Sequence, residues 1–297
     1  MLRLRLKACP GIRRPTTRRR LAVLGVFVSG FCASLAVPIP QAPVITYGLV
    51  RDAYGTPLTA AAGATMRLVR SSDPDGRVYA EATVGDTGFP GMNYRLSLEI
   101  DSEGPSRPYA VTFGTSMRIQ CLAGGAAQAL SPSPVFRTPL NGTAQRKDFS
   151  LGGDADGDGM PDEWEAWILD VNGRPSDAAA VAAFRPDGDA DGDGMTNYQE
   201  YLAGTNPFEA TDLLAITSFR KLEGTDRVEI RFTTVPGRTY RIVKADALDA
   251  PVWAPVATTR VTDGAPAYET YAGTGRVMTV YADAADAPSA FFRVAAN

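Results

Sequence analysis

The chain has no histidine in 297 residues. That removes imidazole zinc ligands, Ser-His and Cys-His nucleophile pairs, and a histidine proton shuttle. Cysteine is nearly as scarce. Cys9 and Cys32 lie near the N-terminus, and Cys121 stands alone in the rest. No intrachain disulfide can form beyond residue 36, so stability there must come from core burial or from metal. Serine elbows, zinc patterns and phosphate loops are also missing, and the chain is expected to be no enzyme, with no catalytic residues. The apolar run from Leu21 to Val37 follows a basic stretch that includes Arg13, Arg14, Arg18, Arg19 and Arg20. That order is the order of a secretory signal peptide, with a small-residue cleavage site at Ser34-Leu35-Ala36. Thr17 to Leu21 resembles a twin-arginine signal. A retained membrane anchor is the alternative, but the run is interrupted by Ser29 and Gly30 and is short for a spanning helix. The rest of the chain is expected to have no transmembrane span.

Positive charge is missing where negative charge is densest. Residues 37–297 hold 22 basic and 33 acidic side chains, a net charge of -11. Residues 152–210 alone hold fourteen acids against Arg174 and Arg185, a balance of -12. A nucleic-acid partner needs the opposite pattern and is not expected.

Within that segment one twelve-residue pattern is spelled out twice. It runs from Asp154 to Glu165 and again from Asp189 to Glu200, each copy opening Asp-Ala-Asp-Gly-Asp-Gly-Met. Oxygen donors at the first, third, fifth, ninth and twelfth places, with Gly at the sixth for a sharp turn, are what Ca²⁺ needs from consecutive residues. In the first loop Asp154, Asp156 and Asp158 offer side-chain oxygens, Met160 its carbonyl, Asp162 a water-mediated contact and Glu165 two oxygens. In the second the same places hold Asp189, Asp191, Asp193, Met195, Asn197 and Glu200. A long-armed bidentate Glu favours Ca²⁺ over Mg²⁺, and two calcium ions are expected. The competing reading of Asp-Gly runs as solvated turns does not explain the spacing.

With both loops in view, residues 152–210 resemble dockerins, bacterial thrombospondin type 3-like repeats and EF-hands. The resemblance covers the loops and the helices that leave them. It implies calcium held for structure. Three departures limit it. Phe149-Ser150-Leu151-Gly152-Gly153 cannot form an entering helix. Pro161 and Thr196 stand where sensor loops carry an apolar pairing residue. Glu163-Trp164 and Tyr198-Gln199 replace the small residues by which dockerins meet cohesins.

Helical spacing after the loops places Trp164, Trp167 and Ile168 on one face and Tyr198, Tyr201 and Leu202 on another, and the two faces are expected to pack together. Between the loops, Asp177–Phe184 reads as a short helix capped by Ser176 or Asp177.

On either side the pattern is β. Strands are expected at 44–50, 65–69, 78–84, 94–100, 109–113 and 117–120, then at 213–219, 228–232, 240–243, 276–281 and 290–294. Residues 123–141 read as a long loop, and Asn141-Gly142-Thr143 matches a glycosylation acceptor better taken as a plain turn. Gly48–Leu58 with Gly63–Leu68 resembles the opening hairpin of a transthyretin-like or carboxypeptidase-regulatory-like sandwich. Pro236–Ile242 with Phe291–Val294 resembles the C-terminal β-module of bacterial exported proteins, with Trp253 in its middle strand and its aromatics in the core.

The expected fold is therefore mainly β, with two β-sandwich-like domains joined by a small α-helical calcium-loop module. Its parts are a signal peptide (1–36), an N-terminal β-sandwich (43–151), paired calcium loops (152–210) and a C-terminal β-domain (211–297). The function expected is that of an exported calcium-binding structural or adhesion-type protein, secreted by or on the surface of a bacterium, whose partner is a cell-surface protein or a polysaccharide. The alternative is a dockerin-like docking or carbohydrate-associated module of a polysaccharide-degrading assembly.

Overall fold

In the computed structural model, the described residues are 42–89, 91–101, 110–140, 142–283 and 290–296. The segment expected to be a signal peptide and Asn141 lie outside them. Among the described residues the fold is mainly β, with three short α-helices.

The N-terminal strands are β1 (Val44–Gly48), β2 (Val50–Arg51), β3 (Thr65–Arg70), β4 (Ala80–Thr83), β5 (Tyr94–Ile100), β6 (Ala110–Val111), β7 (Ser116–Ala123), β8 (Ala126–Gln128), β9 (Leu130–Ser131), β10 (Val135–Arg137), β11 (Ala144–Arg146) and β12 (Phe149–Leu151). They form sheets of order β11-β1-β5-β6, β10-β7-β3-β4 and β2-β12-β9, with β8 paired to β7. Alternation decides which residues face inward. On β5, Tyr94, Leu96, Leu98 and Ile100 are buried while Arg95 and Ser97 point to water. These inward residues meet Met66 and Leu68 of β3 and Met117, Ile119 and Cys121 of β7 in one core. Burial there pushes the Cys121 thiol up to about 11, so it behaves as an apolar filler.

The stretch expected to be a long loop, 123–141, is instead three strands. Gly124-Gly125 makes a tight turn that pairs Ala123 with Ala126, so β8 folds back on β7. Small side chains hide this strand from a hydrophobicity reading, because nothing in Ala-Ala-Gln alternates.

After the loops come β13 (Ile216–Lys221), β14 (Arg227–Phe232), β15 (Thr239–Ala245), β16 (Ala254–Pro255), β17 (Thr258–Thr259), β18 (Tyr271–Ala272), β19 (Met278–Asp283) and β20 (Phe291–Ala296). One sheet has the order β13-β14-β19-β17; in the other, β15 pairs with β16, β18 and β20. Val228, Ile230 and Phe232 of β14 with Met278 and Val280 of β19 face Tyr240 and Ile242 of β15. Trp253 departs from expectation. It precedes β16, is half-buried and is no member of this core.

Between the sheets run α1 (Asp162–Val171), α2 (Ala178–Val181) and α3 (Asn197–Ala203). The expected 177–184 helix is regular only over α2. Asp177 caps it, accepting from the Ala179 and Ala180 amides, and the chain tightens into i→i−3 bonds that end at Phe184. Met160, Trp164, Ile168, Leu169, Val181, Phe184 and Tyr201 form a third core. As expected, the faces of α1 and α3 pack together, with Trp164 and Tyr201 ring centroids 4.8 Å apart. Trp167 does not join them. It is 46 % exposed and meets the N-terminal Tyr54 edge-on at 5.8 Å. Tyr198 is likewise at the surface edge, leaving Tyr201 as the buried anchor of α3.

Candidate metal centre

The first loop leaves β12 through Gly152-Gly153 and runs straight into α1; the second leaves the turn after α2 and runs into α3. No helix enters the first loop, as its glycines require.

The two loops share a common set of turn bonds. Asp154 Oδ1 accepts the Gly157 amide at 2.8 Å, and Asp189 Oδ1 accepts Gly192 at 2.8 Å. Asp154 Oδ2 accepts Gly159 at 3.1 Å, and Asp189 Oδ2 accepts Gly194 at 3.0 Å. Asp158 Oδ1 takes the Met160 amide at 2.8 Å, and Asp193 Oδ1 takes that of Met195 at 2.6 Å. The sixth-place glycines have φ of +99° and +97°, a left-handed turn that a side chain would strain. In each loop a backbone bond closes the base, from Asp162 N to Gly153 O at 2.9 Å and from Asn197 N to Gly188 O at 2.7 Å.

These turns bring carboxylates together. Asp154, Asp156 and Asp158 place oxygens within 4.8 Å of one another, and so do Asp189, Asp191 and Asp193. The twelfth-place residues reach inward from the helices, and Glu165 and Glu200 are both fully buried. Burial, reinforced by the surrounding aspartates, raises the Glu165 carboxyl from 4.5 to about 9. Burial raises Glu200 to about 8, against the opposing hydrogen bond from Thr205 Oγ1 at 3.2 Å. Asp158 is also raised, first by desolvation.

The unpaired atoms are the most telling. Among the described residues, seven buried side-chain oxygens have no hydrogen-bond partner: Asp158 Oδ2, both of Glu165, Asp191 Oδ2, Asp193 Oδ2, Asn197 Oδ1 and Glu200 Oε2. All seven belong to the two loops. Leaving such an atom unsatisfied costs about 1–3 kcal/mol, more when charged. Clustered oxygen donors without protons to share are what a hard cation takes. The residues present therefore fit Ca²⁺.

The ninth places differ between the loops. Asp162 Oδ1 accepts the Ala155 amide at 3.0 Å, closing the loop on itself. Asn197 uses its amide NH₂ to donate to Arg185 O at 2.7 Å, which turns its free oxygen inward. Met160 is fully buried beneath the first loop, and Met195 is half-buried beside the second.

Several neighbours escaped sequence reasoning. Ser131 Oγ donates to Asp154 Oδ2 at 2.6 Å, tying β9 to the first loop. Tyr201 OH donates to Ser150 Oγ at 2.7 Å. Arg238 donates to Tyr54 O at 2.6 Å, Tyr201 O at 3.1 Å and Thr56 Oγ1 at 3.3 Å. Only the Thr205–Glu200 contact, five residues apart, had any local signal.

Compared with known families, residues 189–210 match the bacterial TSP3 repeat. No curated protein and no solved structure matches the chain. Repeats of the matched type bind calcium, have a structural role and are typically extracellular. The match falls on the second loop and α3, and both Asp clusters can hold a metal ion. No helix among the described residues is long and apolar enough to cross a membrane. The chain thus carries a segment similar to the bacterial TSP3 repeat, a calcium-binding structural element, within a mainly β fold.

Proposed function

We propose that this is an exported, non-enzymatic bacterial protein in which two Ca²⁺ ions rigidify the acidic connector between an N-terminal and a C-terminal β-domain. The observation that carries the reading is the set of seven unpaired buried oxygens, all in the loops. The ligands would be Asp154, Asp156, Asp158, Met160, Asp162 and Glu165 in the first site and Asp189, Asp191, Asp193, Met195, Asn197 and Glu200 in the second. Metal would replace carboxylate repulsion with attraction and order each loop with its exit helix. The connector touches both flanks. Ser131 and Ser150 hold it from the N-terminal sheets, and Arg238, just before β15, and Tyr240 on it hold α3, the Tyr240 OH donating to Ala203 O at 3.2 Å.

The test is a thermal melt of the mature protein with calcium and with chelator, followed also by the fluorescence of Trp164, which is buried against Tyr201. At about 1 mM calcium and a dissociation constant of about 0.1 mM, each site adds about 1.4 kcal/mol. For a chain of this size that is roughly 3–6 °C per site. Glu165→Gln and Glu200→Gln should each remove one site's share. A melt indifferent to calcium, chelator and both substitutions refutes the proposal.

A further inference from the structure

A cleft of about 430 Å³ opens between the second loop and the C-terminal sheet. One wall is Met195 of the loop and Gln199 of α3; the other is the outward side of β15 and β20, where Arg241 and Val243 stand beside Arg293, with Trp253 also in the lining. Inward residues of β15, Tyr240 and Ile242, are committed to the core, while Val294 of β20 belongs to the core and also lines the cleft, together with Leu202, Leu214 and Ile216.

Three features make this cleft unlike the rest of the surface. No acid lines it, although acids outnumber bases by 33 to 22 beyond residue 36. Of its two arginines, Arg293 is exposed, whereas Arg241 is partly buried and lies within the field of Arg146. Among the described residues neither forms an ion pair or a side-chain hydrogen bond, and Arg241 Nε is buried without a partner. Asp148, the carboxylate nearest in influence to Arg241, is bound by Arg146 Nε at 3.0 Å and by the Leu49 amide at 2.9 Å. Third, Trp253 is an indole outside the hydrophobic core, half-buried in a wall that also carries polar groups.

We infer that this cleft binds an acidic oligosaccharide, one hexuronate unit at a time. A pyranose ring has an apolar C–H face suited to an indole, hydroxyls that can accept from the Gln199 side-chain NH₂, the Gln199 oxygen being taken by the Thr196 amide in the α3 capping box, and here a carboxylate suited to a guanidinium. A nucleic-acid strand is a poorer fit, because two cations make no track along a phosphate backbone and the adjoining segment 152–210 carries a balance of -12. In one respect the inference rests on the calcium reading. Met195 and Gln199 belong to the second loop and its exit helix, so metal would fix that wall and cancel the carboxylate field that repels an anion.

The experiment is calorimetric titration of the mature protein, in calcium, with a hexuronate trisaccharide and with a neutral hexose trisaccharide. Binding of the acidic sugar alone is expected, weakened about tenfold or more by Arg293→Gln and similarly by Trp253→Ala, with melting temperatures unchanged. Failure of the acidic sugar to bind at millimolar concentration, equal binding of the neutral one, or binding indifferent to both substitutions overturns the assignment. Chelator separates the two proposals. Lost binding alongside a calcium-dependent melt upholds the link between loop and cleft. Retained binding keeps the cleft and breaks the link. A calcium-dependent melt with no sugar binding at any calcium level removes the cleft alone.

Discussion

Arg238 shows how much one side chain can hold together. It is buried, and its three donations reach residues 37 to 184 positions away, in an N-terminal turn and in α3. Room for it depends on Gly204, the residue that ends α3 at φ +80°, where a Cβ would stand 2.8 Å from Arg238 Nε. Burial lowers the guanidinium pKa, yet carbonyl and hydroxyl oxygens accept from its two terminal nitrogens in place of water, while Nε is buried without a partner. Arg238→Met should cost about 2–4 kcal/mol, because three acceptors lose their charged donor. Gly204→Ala should destabilise too, through both strain and collision. Urea denaturation with the slope held constant checks both. None of this could be read locally. In the sequence Arg238 sits in Pro-Gly-Arg-Thr-Tyr and reads as the start of a strand, and nothing near it names its partners.

At the scale of elements, the loops were legible for the opposite reason. Each draws its expected ligands from twelve consecutive residues, so spacing alone carries the geometry. The long alternating strands were legible in the same way. What failed was either too short to show a period, as with β8, or decided by distant neighbours. Trp164 and Trp167 share a helical spacing, but only Trp164 meets α3, because Tyr54 waits for the other. The resemblance to a C-terminal β-module implies Trp253 in a middle strand, and the structure puts it in a cleft wall. The loops also set the response to pH. Glu165 and Glu200 have folded pKa values near 9 and 8 against an ordinary 4.5. A raised carboxyl favours the fold while protonated, so in the metal-free protein the contribution of these two groups should be full below about pH 4.5 and be lost as pH climbs toward 8–9. Calcium binds the ionised form and competes with the proton. Its stabilising effect should therefore grow from pH 5 to pH 8. Melts of metal-stripped and calcium-loaded protein across that range check the sign; a calcium effect that shrinks with rising pH contradicts it.

For the whole molecule, residues 40–297 form one compact unit that contains three distinct cores. The smallest of these lies under the calcium loops and is tied to strands on both sides. The ties are unequal. Asp154, at the head of the first loop, takes a hydrogen bond from Ser131 on β9, twenty-three residues earlier, in addition to its own loop's amides. Asp189 is held by its loop's amides alone among the described residues. A carboxylate clamped from outside cannot swing away with a departing ion, whereas one held only by its own loop can. The two ions should therefore leave at different speeds. Mixing the loaded protein with a fluorescent chelator in a stopped-flow instrument should give two phases, and Ser131→Ala should quicken the slower while leaving the faster unchanged. That hydroxyl would make the first loop a long-lived store of its ion and the second a site that exchanges with the surrounding medium.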